Sequence, residues 1–230
     1  MPSFQYHQFL YGADNYGVLM HDPDTGQTAA IDAGDLDSYL KALTDTGWTL
    51  SHILVTHHHP DHTDGLTELA RQTGAAILGP AGDRPIHQSI ETYLSDGDQF
   101  DFAGHTVRVI ATPGHTLDML NFYLAQQGVC FTGDTLFSLG CGRIFEGTPE
   151  MMWASLEKLI ELPPETVIYS SHEYTAANAR FALTVDPDNT ALAERVQAVE
   201  GLRADKQPTV PSLLSEELAT NPFLRAGDPA

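Results

Sequence analysis

Short apolar and β-branched runs recur along the chain as far as residue 170, and loops rich in Gly, His or Asp follow them. Runs of this length and composition predict β-strands. The predicted strands are Phe4 to Phe9, Tyr16 to Met20, Ala29 to Asp32, Ile53 to Thr56, Ala75 to Leu78, Val107 to Thr112, Met119 to Leu124, Val129 to Thr132 and Val167 to Ser170.

Helical patterns alternate with many of these strands. Residues 35–46 carry leucines at spacings of four and three, and Gly47 follows where a helix would end. A similar pattern precedes Gly74, and Thr148 followed by Pro149 is a favourable helix start. The alternation of strands and helices predicts a mixed α/β fold.

The last quarter of the chain has a different pattern. Helical periodicity continues over residues 173–183 and 191–202, a proline-punctuated end follows, and we find no strand signal. We therefore predict a domain boundary near residue 173. The main domain would comprise residues 1–172, and a small all-helical domain would comprise residues 173–230.

The composition is that of a globular protein with a strong acidic bias. Hydrophobic residues make up 42% of the 230 residues, and 31 acidic residues against 11 basic ones give a formal net charge of -20. Nucleic-acid binding needs Lys and Arg to neutralise phosphates, so this charge argues against a nucleic-acid partner. With only two cysteines, no leader pattern and no membrane-length apolar run, we expect a soluble cytoplasmic monomer.

The candidate chemistry is concentrated directly after the apolar run that ends at Val55. Side chains alternate in an extended segment, so His57 and His59 should point to one side and His58 to the other. Asp61 and His62 follow at the turn into the next helix. This spacing could serve two adjacent metal ions, one for each pair of side chains.

Three further candidate ligands each stand just past the end of a predicted strand: His115, Asp134 and His172. The carboxyl ends of strands in α/β sheets are where binding sites form, and Gly114 and Gly133 permit the tight turns that this position needs. Each residue alone is weak evidence. Together with the histidine motif, they predict a metal site at one edge of the sheet.

The segment His57 to His62 resembles the His-x-His-x-Asp-His signature of the metallo-β-lactamase superfamily. Within that superfamily the chain closely resembles glyoxalase II, the hydroxyacylglutathione hydrolases. The more specific matches are Gly133-Asp134-Thr135-Leu136-Phe137, Gly140-Cys141-Gly142-Arg143, Phe145-Glu146-Gly147-Thr148, Ser171-His172-Glu173-Tyr174-Thr175 and Asn221-Pro222-Phe223-Leu224-Arg225. The resemblance implies an αββα sandwich followed by a helical domain that covers one side of the active site.

The resemblance also implies a dinuclear metal site with Asp134 bridging two divalent ions. The first ion would be held by His57, His59 and His115, and the second by Asp61, His62 and His172. Imidazole and carboxylate ligands without thiolate suit zinc, iron or manganese. We expect zinc first, with iron or manganese as alternatives.

The implied reaction is hydrolysis of S-D-lactoylglutathione to D-lactate and glutathione, the second step of methylglyoxal detoxification. A water that bridges two such cations becomes hydroxide near neutral pH and would attack the thioester carbonyl. Asp61 is placed to orient this nucleophile, and Asp134 to hold both cations. The thiolate leaves readily because a thiol has a pKa of about 8.5.

The resemblance assigns substrate contacts to Arg143, which would bind a glutathione carboxylate, and to Tyr174. Two positions depart from the family pattern. Phe145 stands where many relatives carry a tyrosine, and the chain ends at residue 230 without the basic segment with which many relatives bind the glycine carboxylate of glutathione. Weaker glutathione binding or another thiol carrier would follow.

Three alternatives stay open from the sequence. A lactonase or another thioesterase of the superfamily would use the same two metals, whereas a persulfide dioxygenase would use one iron and fewer ligands. A non-catalytic metal-binding protein is the third. His62 and His172 favour two metals. Cys130 and Cys141 are expected to be structural, as are the histidines outside the pattern: His7, His21, His52, His58, His87 and His105.

Overall fold

The computed structural model describes residues 4–227, which divide into two compact units. Residues up to 111 and residues 118–127 form the first unit, and residues 112–117 and those from 128 onward form the second. The strands of the first unit are β1 (Gln5–Tyr11), β2 (Asn15–His21), β3 (Thr28–Ile31), β4 (His52–Leu54), β5 (Ala76–Pro80), β6 (Thr92–Leu94), β7 (Gln99–Phe102), β8 (His105–Ala111) and β9 (Leu120–Leu124). Its helices are α1 (Leu36–Thr46), α2 (Pro60–Thr63) and α3 (Leu66–Thr73), with a 3-10 turn at Pro85–Ser89.

Six strands of the first unit form one mixed sheet in the order β1-β2-β3-β4-β5-β6. The pairs β1·β2 and β2·β3 are antiparallel, and β3 to β6 run parallel. Strands β7, β8 and β9 form an antiparallel meander. Because β3 and β4 are parallel neighbours, the loops that follow them leave from the same edge of the sheet.

Helix α1 packs its apolar face on this sheet. The Asp35 carboxylate caps the helix by accepting from the Ser38 backbone N–H at 2.9 Å, and Gly47 ends it in the left-handed conformation at φ 72°. Tyr39 is fully buried and its hydroxyl donates to the Ile31 carbonyl at 2.7 Å. Helix α1 and this sheet therefore share one buried hydrophobic cluster.

The second unit contains β10 (Val129–Gly133), β11 (Leu136–Phe137), β12 (Gly140–Cys141), β13 (Val167–Ser170) and β14 (Ser212–Leu213). Its helices are α4 (Pro149–Ile160), α5 (Thr175–Val185), α6 (Thr190–Ala204) and α7 (Leu214–Thr220). Strand β13 pairs parallel with β10 and antiparallel with β14, and β11 and β12 form a hairpin. Thr148 caps α4 and Pro149 occupies its first turn, as predicted.

The mixed α/β class is confirmed, and the predicted strands lie within two residues of the observed ones. The prediction that no strand follows residue 171 is wrong, because Ser212 pairs with Ile168. Helix α7 lies in the C-terminal segment for which the prolines predicted no regular element. Strands β6 and β7 were also not predicted. Strands β14 and β6 have only two and three residues, fewer than the four over which an alternating pattern becomes visible. The domain boundary at residue 173 stays a prediction.

Within residues 4–227, the structure has no helix that combines the length and the apolar character needed to cross a membrane.

Candidate metal centre

The loop after β4 brings His57 and His59 together. The Nε2 atom of His57 lies 3.0 Å from Nδ1 of His59, and the other ring nitrogen of His57 is 3.0 Å from the Thr56 hydroxyl. His58 instead places its Nδ1 atom 2.9 Å from a carboxylate oxygen of Asp118. The alternation of side chains in this loop thus separates His58 from the two histidines beside it.

Helix α2 supplies the second pair in the first unit. His62 is fully buried, and its Nε2 atom lies 3.6 Å from Oδ2 of Asp61. The Nδ1 atom of His62 is 2.8 Å from the Asp32 carboxylate, which leaves Nε2 as the lone-pair donor. Asn15 donates to Oδ2 of Asp61 at 3.0 Å, so this carboxylate is also held in place.

Sequence reasoning missed Asp32, which it treated as the end of a strand. Asp32 is buried, adopts a positive φ of 60°, and also accepts hydrogen bonds from the Thr56 backbone N–H at 2.7 Å and the Thr56 hydroxyl at 2.9 Å. Backbone strain of this kind persists where several surrounding contacts hold the residue in place. The available signal was an aspartate at a strand end, on the same edge as the histidine loop.

Asp118 was missed as well. Its two carboxylate oxygens lie 2.9 Å from ring nitrogens of His58 and His87. His87 is buried and accepts from the Arg84 backbone N–H at 3.1 Å through Nδ1, so Nε2 carries the proton given to Asp118. Asp118 thus links His58 to His87, and the structural role expected for these two histidines stays a prediction.

The second unit brings His115, Asp134 and His172 together. Oδ2 of Asp134 lies 3.2 Å from Nε2 of His115, and Oδ1 lies 3.4 Å from Nε2 of His172. All three side chains are buried. One carboxylate oxygen therefore faces each imidazole. The Nδ1 atom of His115 lies 2.7 Å from the Arg143 carbonyl oxygen, to which it donates, so Nε2 keeps its lone pair toward Asp134.

Glycines allow the close backbone approaches around these predicted ligands. A Cβ atom at Gly142 would lie 1.9 Å from the Asp134 carbonyl oxygen, and one at Gly34 would lie 1.8 Å from the Asp61 carbonyl oxygen. Gly133, predicted as a turn residue, has a positive φ of 49° directly before Asp134. No larger residue fits at Gly142 or Gly34 without a backbone shift.

Two of the predicted substrate residues lie against predicted ligands of the second unit. Phe145 is 63% exposed and its ring stands edge-on to His115 at 5.1 Å between centroids. Tyr174 is exposed and stacks on His172 at 4.7 Å with an interplanar angle of 2°. Arg143 is exposed, and its guanidinium forms no ion pair with any residue in the described range 4–227.

The two cysteines are unsuited to nucleophilic catalysis. Cys130 is fully buried in β10. Burial raises the pKa of the Cys141 thiol to about 12, so it stays protonated at neutral pH. A structural role for both is consistent with this environment.

The donor geometry fits divalent metal ions. Two ligands on one tetrahedral ion, each bonded at about 2.0–2.1 Å, lie about 3.3 Å apart. Four pairs of donor atoms within the separate units are 3.0 to 3.6 Å apart: His57 with His59, Asp61 with His62, and Asp134 with both His115 and His172. Neutral imidazole and carboxylate are ligands that such ions accept.

The superfamily of this protein follows from its matches to known proteins. A family model described as "Metallo-beta-lactamase superfamily" matches residues 22–172. The crystal structure of the BLEG-1 B3 metallo-β-lactamase matches with a TM-score of 0.73 and 19% identity, covering 96% of this chain and 99% of that chain. The fold and the His and Asp groups are therefore those of a metal-binding protein of the metallo-β-lactamase superfamily, and the predicted αββα fold class is confirmed.

A second family model, "Hydroxyacylglutathione hydrolase C-terminus", matches residues 173–230. The hydroxyacylglutathione hydrolase of Chelativorans sp. (strain BNC1) is 50% identical over 222 residues, which cover 96% of this chain and 87% of that protein. The protein of the same name from Brucella ovis is 51% identical over 221 residues, covering 96% and 86%. The chain belongs to the hydroxyacylglutathione hydrolase family, as its motifs predicted.

Proposed function

We propose that this protein hydrolyses the thioester of S-2-hydroxyacylglutathione, with S-D-lactoylglutathione as the model substrate, to the 2-hydroxy acid and glutathione. The observation that carries the proposal is the 50% identity to a hydroxyacylglutathione hydrolase over 96% of the chain. The His and Asp groups described above supply the ligand chemistry that such a hydrolase needs.

The proposed ligand set has seven members for two divalent ions. Zinc is the first candidate metal, and iron and manganese are the alternatives. His57, His59 and His115 would bind one ion, Asp61, His62 and His172 the other, and Asp134 both. The separate oxygens of Asp134 that face His115 and His172 support a bridging role for this carboxylate. The assignment of each ligand follows the family pattern.

Bound at these residues, two divalent ions would supply an acidified water as nucleophile at neutral pH and would polarise the thioester carbonyl. Asp61, whose side chain is 48% exposed, accepts from Asn15 and would orient the attacking water. The leaving thiolate needs no acid from the chain, because the pKa of a thiol is about 8.5.

The proposed substrate contacts are Arg143, Tyr174 and Phe145. Arg143 offers an exposed guanidinium to a glutathione carboxylate on a chain whose net charge of -20 otherwise repels anions. Tyr174 and Phe145 lie against the rings of His172 and His115 and would pack on the substrate close to the reacting bond. Phe145 offers no hydroxyl group.

A direct assay tests the function. Protein with quantified metal is incubated with S-D-lactoylglutathione, a lactone or glutathione persulfide, and product formation is followed. We expect two metal ions per chain and thiol release from the thioester at the highest kcat/KM. Preference for the lactone, or persulfide oxidation by protein with one iron, would replace the proposal by the corresponding alternative. No turnover of any substrate by protein with two ions would indicate a non-catalytic metal-binding protein.

Replacing Arg143 by Gln should raise KM for S-D-lactoylglutathione about tenfold or more and leave kcat nearly unchanged, because an exposed charge-assisted hydrogen bond to a remote carboxylate is lost. Steady-state kinetics give both constants. Arg108→Gln, at another exposed arginine, is the matched control and should change neither. An unchanged KM in the Arg143 variant would show that the carboxylate is bound elsewhere.

Replacing Phe145 by Tyr restores the hydroxyl group that many relatives offer at this position. Since Phe145 is 63% exposed, the added oxygen causes no crowding. One neutral hydrogen bond contributes about 1 kcal/mol, so KM should fall roughly fivefold. Comparison of KM for the two proteins checks this, with Phe181→Tyr as a control that adds a hydroxyl to another exposed ring. A higher KM in the Phe145 variant would contradict the assignment.

A further inference from the structure

The hairpin formed by β11 and β12 has a strained tip. Its turn consists of Ser138 and Leu139, and Leu139 is fully buried with a positive φ of 57°. Residues other than Gly, Asn and Asp rarely adopt this conformation, so surrounding contacts must hold it.

The hairpin is joined at its base to the ligands of the second unit. It begins two residues after Asp134, and the Gly142 backbone N–H donates to the Thr135 carbonyl at 3.1 Å. One residue further, the Arg143 carbonyl accepts from Nδ1 of His115 at 2.7 Å. A shift of the hairpin would therefore move the backbone of Asp134 and the hydrogen-bond partner of His115.

The tip is held by the buried side chains of Glu217 and Asn221 and by Arg195, which lie in or directly after helices α6 and α7. Oε2 of Glu217 in α7 accepts from the Leu139 backbone N–H at 2.9 Å, and Glu217 is fully buried. Nδ2 of Asn221 donates to the carbonyls of Phe137 and Gly140 at 3.1 and 3.0 Å. Arg195 in α6 pairs with Glu217 and donates to the Ser138 hydroxyl at 3.0 Å.

The acceptor role of Glu217 matters more than its charge. A buried ion pair contributes little to stability compared with apolar side chains of similar volume, so stability alone does not account for Arg195 and Glu217. A buried backbone N–H without an acceptor is costly, however, and the Leu139 N–H would be left in that state if Glu217 were removed. That cost would fall on the strained turn at the tip of the hairpin whose base adjoins Asp134.

We infer that Glu217 is a positioning residue, which holds the β11–β12 hairpin and thereby keeps Asp134 and His115 in metal-binding geometry. The inference rests on the proposed function, because it treats Asp134 and His115 as metal ligands. It assigns to helices α6 and α7 a part in metal binding, through side chains outside the proposed ligand set.

Two double variants separate positioning from stability. Arg195→Met with Glu217→Gln and Arg195→Met with Glu217→Met both remove the ion pair and keep similar volumes. Only the Gln variant retains an acceptor oxygen for the Leu139 N–H. Metal-loaded wild type and both variants are titrated with a competing chelator, their thermal midpoints are measured, and kcat and KM are determined.

The Glu217→Met double variant should fold, bind metal about 10- to 100-fold more weakly and lose kcat in proportion with little change in KM, because a shift of the hairpin displaces the Arg143 carbonyl that orients the His115 imidazole. The Glu217→Gln double variant should retain metal affinity near that of the wild type. Equal metal affinities in the two variants, or weaker binding only in proportion to lower thermal midpoints, would overturn the inference. If the wild type itself neither binds metal nor hydrolyses the thioester, the proposed function is wrong, and the inference about Glu217 is wrong with it.

Discussion

Replacing Asp134 by Asn is expected to deplete both metal ions and to lower kcat/KM about a thousandfold or more, since two bound cations stabilise the transition state by several kcal/mol. The two oxygens of Asp134 face different imidazoles, at 3.2 Å from His115 and 3.4 Å from His172. The amide keeps the shape of the carboxylate but loses its charge and one acceptor oxygen. No other single ligand in the proposed set contacts both ions.

Metal content by elemental analysis and steady-state kinetics, measured on the same preparation, check this expectation. Asp22→Asn is the matched control: Asp22 is also buried and accepts from the Thr25 backbone N–H at 3.0 Å, in a turn after β2. This control should retain both ions. Retention of two ions with full activity in the Asp134 variant would remove Asp134 from the proposed centre.

Replacing Gly142 by Ala should have the second largest effect, although it changes a single methyl group. The new Cβ atom would lie 1.9 Å from the Asp134 carbonyl oxygen and 3.2 Å from Nδ1 of His115, so the backbone must move. Overpacking of this kind costs about 1–3 kcal/mol of stability. Because the displaced segment carries Asp134, we also expect metal affinity to fall roughly tenfold or more.

Chelator competition and thermal unfolding measure the two effects separately. Gly201→Ala is the control, since Gly201 lies in α6 and a Cβ atom there meets nothing within 4 Å. That change should leave metal affinity unaltered and raise stability by about 1 kcal/mol, because Ala favours a helix over Gly. Wild-type metal affinity in the Gly142 variant would mean that the loop adjusts without moving Asp134.

Local patterns in the sequence were sufficient to predict most elements. Asp35 and Gly47 bound α1 as predicted, and Thr148 caps α4. Both depend on contacts within a few residues of the helix end, which a sequence displays directly. The short pair β14 and α7 was missed, because Ser212 becomes a strand residue only by pairing with Ile168.

By itself, the sequence determined the candidate ligands, since imidazoles and carboxylates just past strand ends have few other reasons to recur. Only the tertiary structure decided which groups orient them. Asp32 lies 30 residues from His62 and Glu217 lies 78 residues from Leu139, so no local spacing joins either pair. Such hydrogen bonds form when folding brings distant residues together and removes water from both partners. No periodicity in the sequence therefore indicates them.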